Sequence, residues 1–335
     1  MILVTGASGL LGSHLLYELT SQGKECVAVC RSKENLKNVE RLFHFYSPQN
    51  AHDYFSKIEW IYGDLLDLCF LNDLFPRVTS VYHCAAKVSF YKADFLKCIK
   101  QNREVTANIV NYCLKYNVGK LCYVSSTAAI GANKDGFTTE KDKWEADAKN
   151  SGYSISKYSA EKEVWRGIEE GLNAVMINPS VILGPGDWNS GSLTIFKTAK
   201  KGLLFYPTGN NSIVDARDVA LSMRLLMDSD LHTERYLCVG VNLSYKQLFT
   251  EISKRLNTQV PKYKAPERLA KIIAVINEFL CRISGVRKGL TIETANSAYK
   301  KITYDVSKIT TAIPVEFHTL EETIENVLQF ETFQA

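Results

Sequence analysis

Short apolar runs with a β-branched bias alternate with segments whose apolar residues recur at helical spacing. Residues 2–5, 26–30, 58–62, 80–83, 120–124 and 173–177 read as strands. Residues 14–19, 105–116 and 154–170 carry the helical pattern between them. Strands that alternate with helices predict a parallel sheet covered on both faces, with ligands at the carboxyl ends of its strands. After Gly184-Pro185-Gly186 the pattern changes: loops lengthen, helices dominate and strands become rare. Residues 212–220 read as a return to the main sheet. The expected organisation is 1–180 as one domain, 213–230 returning to it, and 181–335 as a smaller, interleaved region. Residues 269–283 are apolar but interrupted by Lys271, Glu278 and Arg282. They read as an amphipathic helix, with a docking surface for lipid or a partner as the alternative to burial.

Composition narrows the class. The 335 residues suit about two domains, and 46% hydrophobic and 23% charged residues are ordinary for a globular protein. A net charge of +4, scattered along the chain, does not argue for nucleic acid. The first strand starting at residue 2 leaves no room for a signal peptide, and no 18-residue apolar run predicts a membrane span. The nine cysteines are dispersed without a C-x-x-C and the histidines lack metal-ligand spacing, so reduced thiols, no metal site and a cytoplasmic location are expected.

The candidate chemistry begins at residue 6. The first strand runs straight into Gly6-Ala7-Ser8-Gly9-Leu10-Leu11-Gly12 and then a helix, the context of a dinucleotide phosphate loop. Such a turn brings backbone close to a pyrophosphate, and the helix N-terminus offers free N–H groups. Arg31-Ser32 follows the second strand, where an arginine accommodates a 2′-phosphate and an acidic residue would favour NAD. This predicts NADP, with NAD as the alternative. Tyr153 and Lys157 form a Y-x-x-x-K whose members share a helix face, and an ammonium beside a phenol lowers the phenol's pKa. The same pattern recurs at Tyr116/Lys120, Tyr158/Lys162 and Tyr304/Lys308, so spacing alone does not choose among them.

The company of Tyr153 chooses. Ser125-Ser126-Thr127 closes the fifth strand, and Asn178-Pro179-Ser180-Val181 follows the sixth. With Gly63-Asp64-Leu65-Leu66-Asp67, His83-Cys84-Ala85-Ala86, Asn102 and Val214-Asp215-Ala216-Arg217-Asp218-Val219-Ala220, these motifs fall in an order that resembles the extended short-chain dehydrogenase/reductase family. The resemblance covers essentially the whole chain. It implies a Rossmann-type doubly wound α/β fold and a dimer. It implies that Ser126, Tyr153 and Lys157 are catalytic, Tyr153 as general acid/base and Ser126 as hydrogen-bond donor to the reacting oxygen, with Ser125 or Thr127 as alternatives for that last role. Cofactor contacts would come from Gly6, Ser8, Gly9, Leu10, Leu11, Gly12, Arg31, Asp64, Leu65, Ala85, Ala86, Lys87, Asn102, Pro179 and Val181, together with Tyr153 and Lys157.

Within that family, the chain lacks the Asp-Glu pair that sugar dehydratases carry after the serine position, having Thr127-Ala128 instead. It also lacks an arginine in Gly209-Asn210-Asn211-Ser212-Ile213 to grip a nucleotide diphosphate. Its last third resembles the dihydroflavonol-reductase and 3β-hydroxysteroid-dehydrogenase branch. The expectation is a carbonyl or alcohol oxidoreductase for a small hydrophobic substrate, with a nucleotide-sugar epimerase using tightly bound NAD(P) as the alternative. The stretch Leu203-Leu204-Phe205-Tyr206 and Trp188 read as an apolar pocket or as core.

Overall fold

A computed structural model describes residues 1–34, 36–133, 136–147, 150–284 and 289–333. Among the described residues, twelve strands follow one another as β1 Ile2–Thr5, β2 Cys26–Cys30, β3 Ile58–Tyr62, β4 Ser80–His83, β5 Lys120–Val124, β6 Ala174–Pro179, β7 Val181–Leu183, β8 Phe205–Tyr206, β9 Asn210–Asp215, β10 Glu234–Cys238, β11 Val241–Ser244 and β12 Tyr263–Lys264. The main sheet has seven parallel strands in the order β10-β6-β5-β4-β1-β2-β3. This is the doubly wound arrangement, with its reversal of strand order beside β1.

Neighbouring residues of one strand point to opposite faces, and both faces are buried. Val4, Ala28, Cys122 and Val175 belong to one core, which packs against the helices Leu10–Ser21 and Ala216–Asp228. Leu3, Val27, Leu121 and Ala174 belong to the other, against the helices Val105–Lys115 and Gly152–Glu169. Burial on both sides is why these strands read as continuous apolar runs and not as alternating ones.

The later region differs from the sequence expectation. Residues 212–215 do not join the main sheet: β9 pairs with β7 and β11 in a separate three-stranded sheet. Only the helix Ala216–Asp228 comes back to pack on Leu10–Ser21. The strand that rejoins the main sheet is β10, against β6. Its sequence, Glu-Arg-Tyr-Leu-Cys, opens on two charged residues and holds only three apolar ones, too short a run to stand out. A third core, with Trp188, Phe196, Leu248 and Ile324, holds this region together.

Candidate active site

The phosphate loop is built by steric exclusion. Gly6 has φ +67, and a Cβ there would lie 2.6 Å from the Ala85 nitrogen. A Cβ on Gly12 would overlap the Gly6 carbonyl oxygen. The loop closes through Gly9 N–H donating to Gly6 O at 3.0 Å. The helix that follows has Gly9 as its N-cap with no side-chain cap, which leaves backbone N–H groups of the first turn for an anion. The cradle therefore fits the pyrophosphate of a nicotinamide dinucleotide. Ser8 and Leu10 are partly buried, Gly9 is exposed, and Leu11 is buried.

The remaining cofactor candidates rim the same strand ends. Arg31 is exposed directly after β2. Asp64, also exposed, accepts from Leu66 N–H at 3.0 Å, while Leu65 is buried and its carbonyl accepts from Asn108. Ala85, Ala86 and Lys87 follow β4. Pro179 ends β6, and Val181 opens β7.

Asn102 is 3% exposed, on a π-helical turn over Lys100–Glu104, a distortion that often marks functional positions. It accepts from Lys87 N–H at 2.7 Å and donates to Lys87 O at 3.0 Å and to Ser156 Oγ at 2.9 Å. Its own carbonyl accepts from Thr106, whose hydroxyl meets His83 Nε2 at 3.1 Å. His83 Nδ1 meets Thr5 Oγ1 at 2.7 Å. One buried chain of hydrogen bonds thus joins the phosphate-loop strand to the Tyr153 helix. Burial and nearby Lys157 push His83 down to about 3, so it is neutral and serves as a fixed link.

At the heart of the site, Ser126 caps the short turn Thr127–Ala129 through its hydroxyl, which also lies close enough to the Tyr153 phenol to hold its pKa down. Ser125 turns the other way and donates to Glu161 at 2.5 Å. Thr127 is engaged with Tyr304. The three hydroxyls adjacent in sequence have three different partners, and only Ser126 meets Tyr153. Phe90 packs edge-on against the Tyr153 ring at 5.6 Å.

Lys157 is buried, donates to Val124 O at 2.7 Å and lies 4.7 Å from the Tyr123 ring centre. Burial pushes it down to about 8, against the pull of Glu161. Burial also raises Tyr153 above its ordinary value, and the nearby Ser126 hydroxyl opposes this. That differs from the expectation of a lysine-lowered phenol. The Lys157 ammonium is directed at the strand-end carbonyl, and burial of the phenol dominates.

The other Y-x-x-x-K pairs serve structure. Tyr158 stacks on Trp144 at 4.2 Å, beside a cavity of about 350 Å³ that includes Lys162 and Trp165. Lys120 caps Leu226 O and Ser229 O at 2.7 Å each. Lys308 donates to Arg235 O at 2.8 Å. The apolar-pocket reading divides: Trp188 is core, 5.3 Å from Phe196, while Leu204 and Phe205 are exposed beside Tyr263.

Glu161 and Arg235 were not among the expected site residues. Glu161, 1% exposed, accepts from Ser125, from Asn178 Nδ2 at 2.9 Å and from Arg235 at 2.8 Å. Asn178 also donates to Ser126 O at 3.0 Å. The signal for Glu161 was its i+4 spacing from Lys157; Arg235 lies 74 residues away and gave none. Among the described residues no cluster could hold a metal, and no helix is long and apolar enough to cross a membrane.

Residues 2–238 match the model of the NAD dependent epimerase/dehydratase family. A Synechocystis protein named provisionally as a dihydroflavonol 4-reductase is 26% identical over 316 residues, 91% of this chain and 87% of that protein. Sterol demethylase protein B of Methylococcus capsulatus is 28% identical over 284 residues, 84% and 82% of the two chains. The crystal structure of gox2253 superposes with a TM-score of 0.80 at 26% identity, covering 98% of this chain and 97% of that one.

Proposed function

On the premise that this chain belongs to the NAD-dependent epimerase/dehydratase family, with reductases and dehydrogenases among its relatives, we propose that it is an NADP(H)-dependent oxidoreductase acting on a carbonyl, or the corresponding alcohol, of a small hydrophobic substrate. The observation that carries this reading is that the Ser126 hydroxyl, just past β5, acts on the Tyr153 phenol, while Lys157, one turn further along the Tyr153 helix, is anchored on Val124 O at the end of the same strand. A nicotinamide dinucleotide held in the phosphate loop would supply the hydride in reduction and take it up in oxidation. Tyr153 O–H gives its proton to the carbonyl oxygen in reduction and, as phenolate, takes one back in oxidation. Ser126 donates to that oxygen and stabilises the charge developing there. Lys157 would hold the nicotinamide ribose from its buried place beneath the strand end. Arg31, open at the end of β2, meets a 2′-phosphate.

Three observations support a hydrophobic substrate over a nucleotide sugar. Phe90 leans on Tyr153. The segment 209–213 holds no arginine, and Arg217 is paired with buried Asp215 at 2.7 Å. A buried diphosphate without a cationic partner is poorly stabilised. Two relatives are named for apolar polycyclic or aromatic compounds, a sterol and a dihydroflavonol. The test is a panel of aromatic and alicyclic carbonyl compounds and of nucleotide sugars, each with NADPH. Net NADPH oxidation with a carbonyl compound is the expected result. Epimer interconversion of a nucleotide sugar with no net cofactor oxidation would overturn the reading.

A further inference from the structure

The helix Glu267–Ser284 is built inside out. Its body-facing side carries Ala274, fully buried, and Asn277, which donates to Leu290 O at 2.9 Å. On that side too, Glu278 accepts from Ile292 N–H at 2.8 Å. The opposite side presents Leu269, Ile272, Ile276, Phe279, Leu280 and Ile283 to solvent, with Phe279 64% and Ile283 69% exposed. The tip of the β8–β12 pair, two residues ahead of the helix, adds exposed Phe205 and Tyr263. Water-facing apolar side chains in such a row are unusual on a lone globular surface.

Charge identifies the occupant. Residues 262–301 contain nine lysines and arginines against three glutamates. The whole chain carries only +4, so this stretch is more basic than the protein that bears it. Lys262, Lys264, Arg268 and Arg282 are exposed beside the apolar strip. Exposed Lys300 and Lys301 follow Tyr299, whose hydroxyl donates to Ala265 O at 3.1 Å at the helix entrance. With exposed Ile273 and Val275 at its two margins, the apolar face sweeps an arc of roughly 160° at 100° per residue, wider than the narrow seam of two paired helices. A broad apolar face rimmed by cations matches a flat apolar phase bounded by negative charge.

We propose that this face docks the protein on an anionic lipid bilayer, with Glu267–Ser284 lying in the interface plane and lysines and arginines meeting the headgroups. The inference stands apart from the assigned chemistry. Its test is flotation of the full chain with phosphatidylcholine vesicles that contain or lack phosphatidylserine, at low and high salt. The expected result is binding to the phosphatidylserine vesicles that weakens with salt, as screening requires. Ile276→Glu and Phe279→Glu should each reduce it by roughly tenfold or more, and Arg268→Glu should reduce it less. Both apolar positions face solvent, so circular dichroism and turnover of these variants should match the parent. Absence of vesicle binding by the parent overturns the proposal. So does a parent that is dimeric in solution, fails to bind vesicles and becomes monomeric on Phe279→Glu, which assigns the face to a second copy. Equal binding by parent and both variants also overturns it.

Discussion

Ser125 Oγ donates to the Glu161 carboxylate at 2.5 Å, so this serine faces into the protein while its neighbour Ser126 meets Tyr153. Residues one apart at the end of an extended strand point to opposite sides. Here one side is a buried carboxylate and the other is the site. Glu161 in turn takes Asn178, which holds the Ser126 carbonyl at 3.0 Å, and Arg235 from β10. The Ser126 backbone is thus held in place, through Asn178, by the buried Glu161–Arg235 ion pair.

The catalytic assignment is tested by paired variants. Tyr153→Phe keeps the ring against Phe90 but removes the proton donor, and should lower kcat by roughly 100- to 10,000-fold with cofactor affinity retained. Ser126→Ala should cost roughly 100- to 1,000-fold. Tyr158→Phe keeps its stacking on Trp144 and should leave turnover near that of the parent. An inactive Tyr158→Phe beside an active Tyr153→Phe would reverse the assignment.

Arg31 should make NADPH the preferred cofactor. Hydrogen bonds to charged groups are worth about 1.5–3 kcal/mol each, so calorimetry should find NADPH bound at least about tenfold more tightly than NADH. Arg31→Asp should invert the order. Equal affinities in the parent would rule out this role for Arg31.

Glu161→Gln removes the charge that faces Arg235 and leaves a largely buried guanidinium uncompensated. A loss of about 3 kcal/mol is expected from denaturant unfolding. Because Ser126 then loses its alignment, kcat should fall while KM for cofactor stays put. A stability loss with unchanged kcat would reduce Glu161 to a structural role.

Lys157 makes the cofactor-free protein pH-sensitive in a definite direction. Its pKa is about 8 folded against an ordinary 10.5. Between these values the unfolded chain binds more protons, so stability from this group rises with pH. Below pH 8 the cost of burying the ammonium is fully present. Lys157→Met should therefore raise Tm at pH 7 and raise it less near pH 10, while abolishing turnover. A Tm gain that does not shrink with pH would disprove the linkage.

His318 works with the opposite sign. It contacts Asp218 through Nδ1 at 2.5 Å and through its backbone N–H at 2.8 Å, and its pKa is raised chiefly by that hydrogen bond. Its stabilising contribution is fully present below the ordinary histidine value and is lost as pH rises through the folded one. His318→Asn should lower Tm more at pH 6 than at pH 9, which thermal melts at the two values would check.

The amino-acid order alone determined six of the seven strands of the doubly wound sheet, because its central strands, buried on both faces, are nearly continuous apolar runs and so announce themselves. It determined the phosphate loop as well: Gly6 and Gly12 stand where any Cβ would collide with backbone. Local periodicity also placed Tyr153 and Lys157 on one helix face. Tertiary structure decided what depends on residues far apart in sequence. It turned Ser125 toward Glu161 and Ser126 toward Tyr153, brought Arg235 across 74 residues to the Glu161 carboxylate, and gave the seventh place in the sheet to β10 instead of 212–215. It also decided which way the amphipathic helix 267–284 faces. Periodicity defines an apolar side, but only packing says whether that side is covered, and here the body takes the alanine and asparagine face and leaves the isoleucines and phenylalanine to solvent.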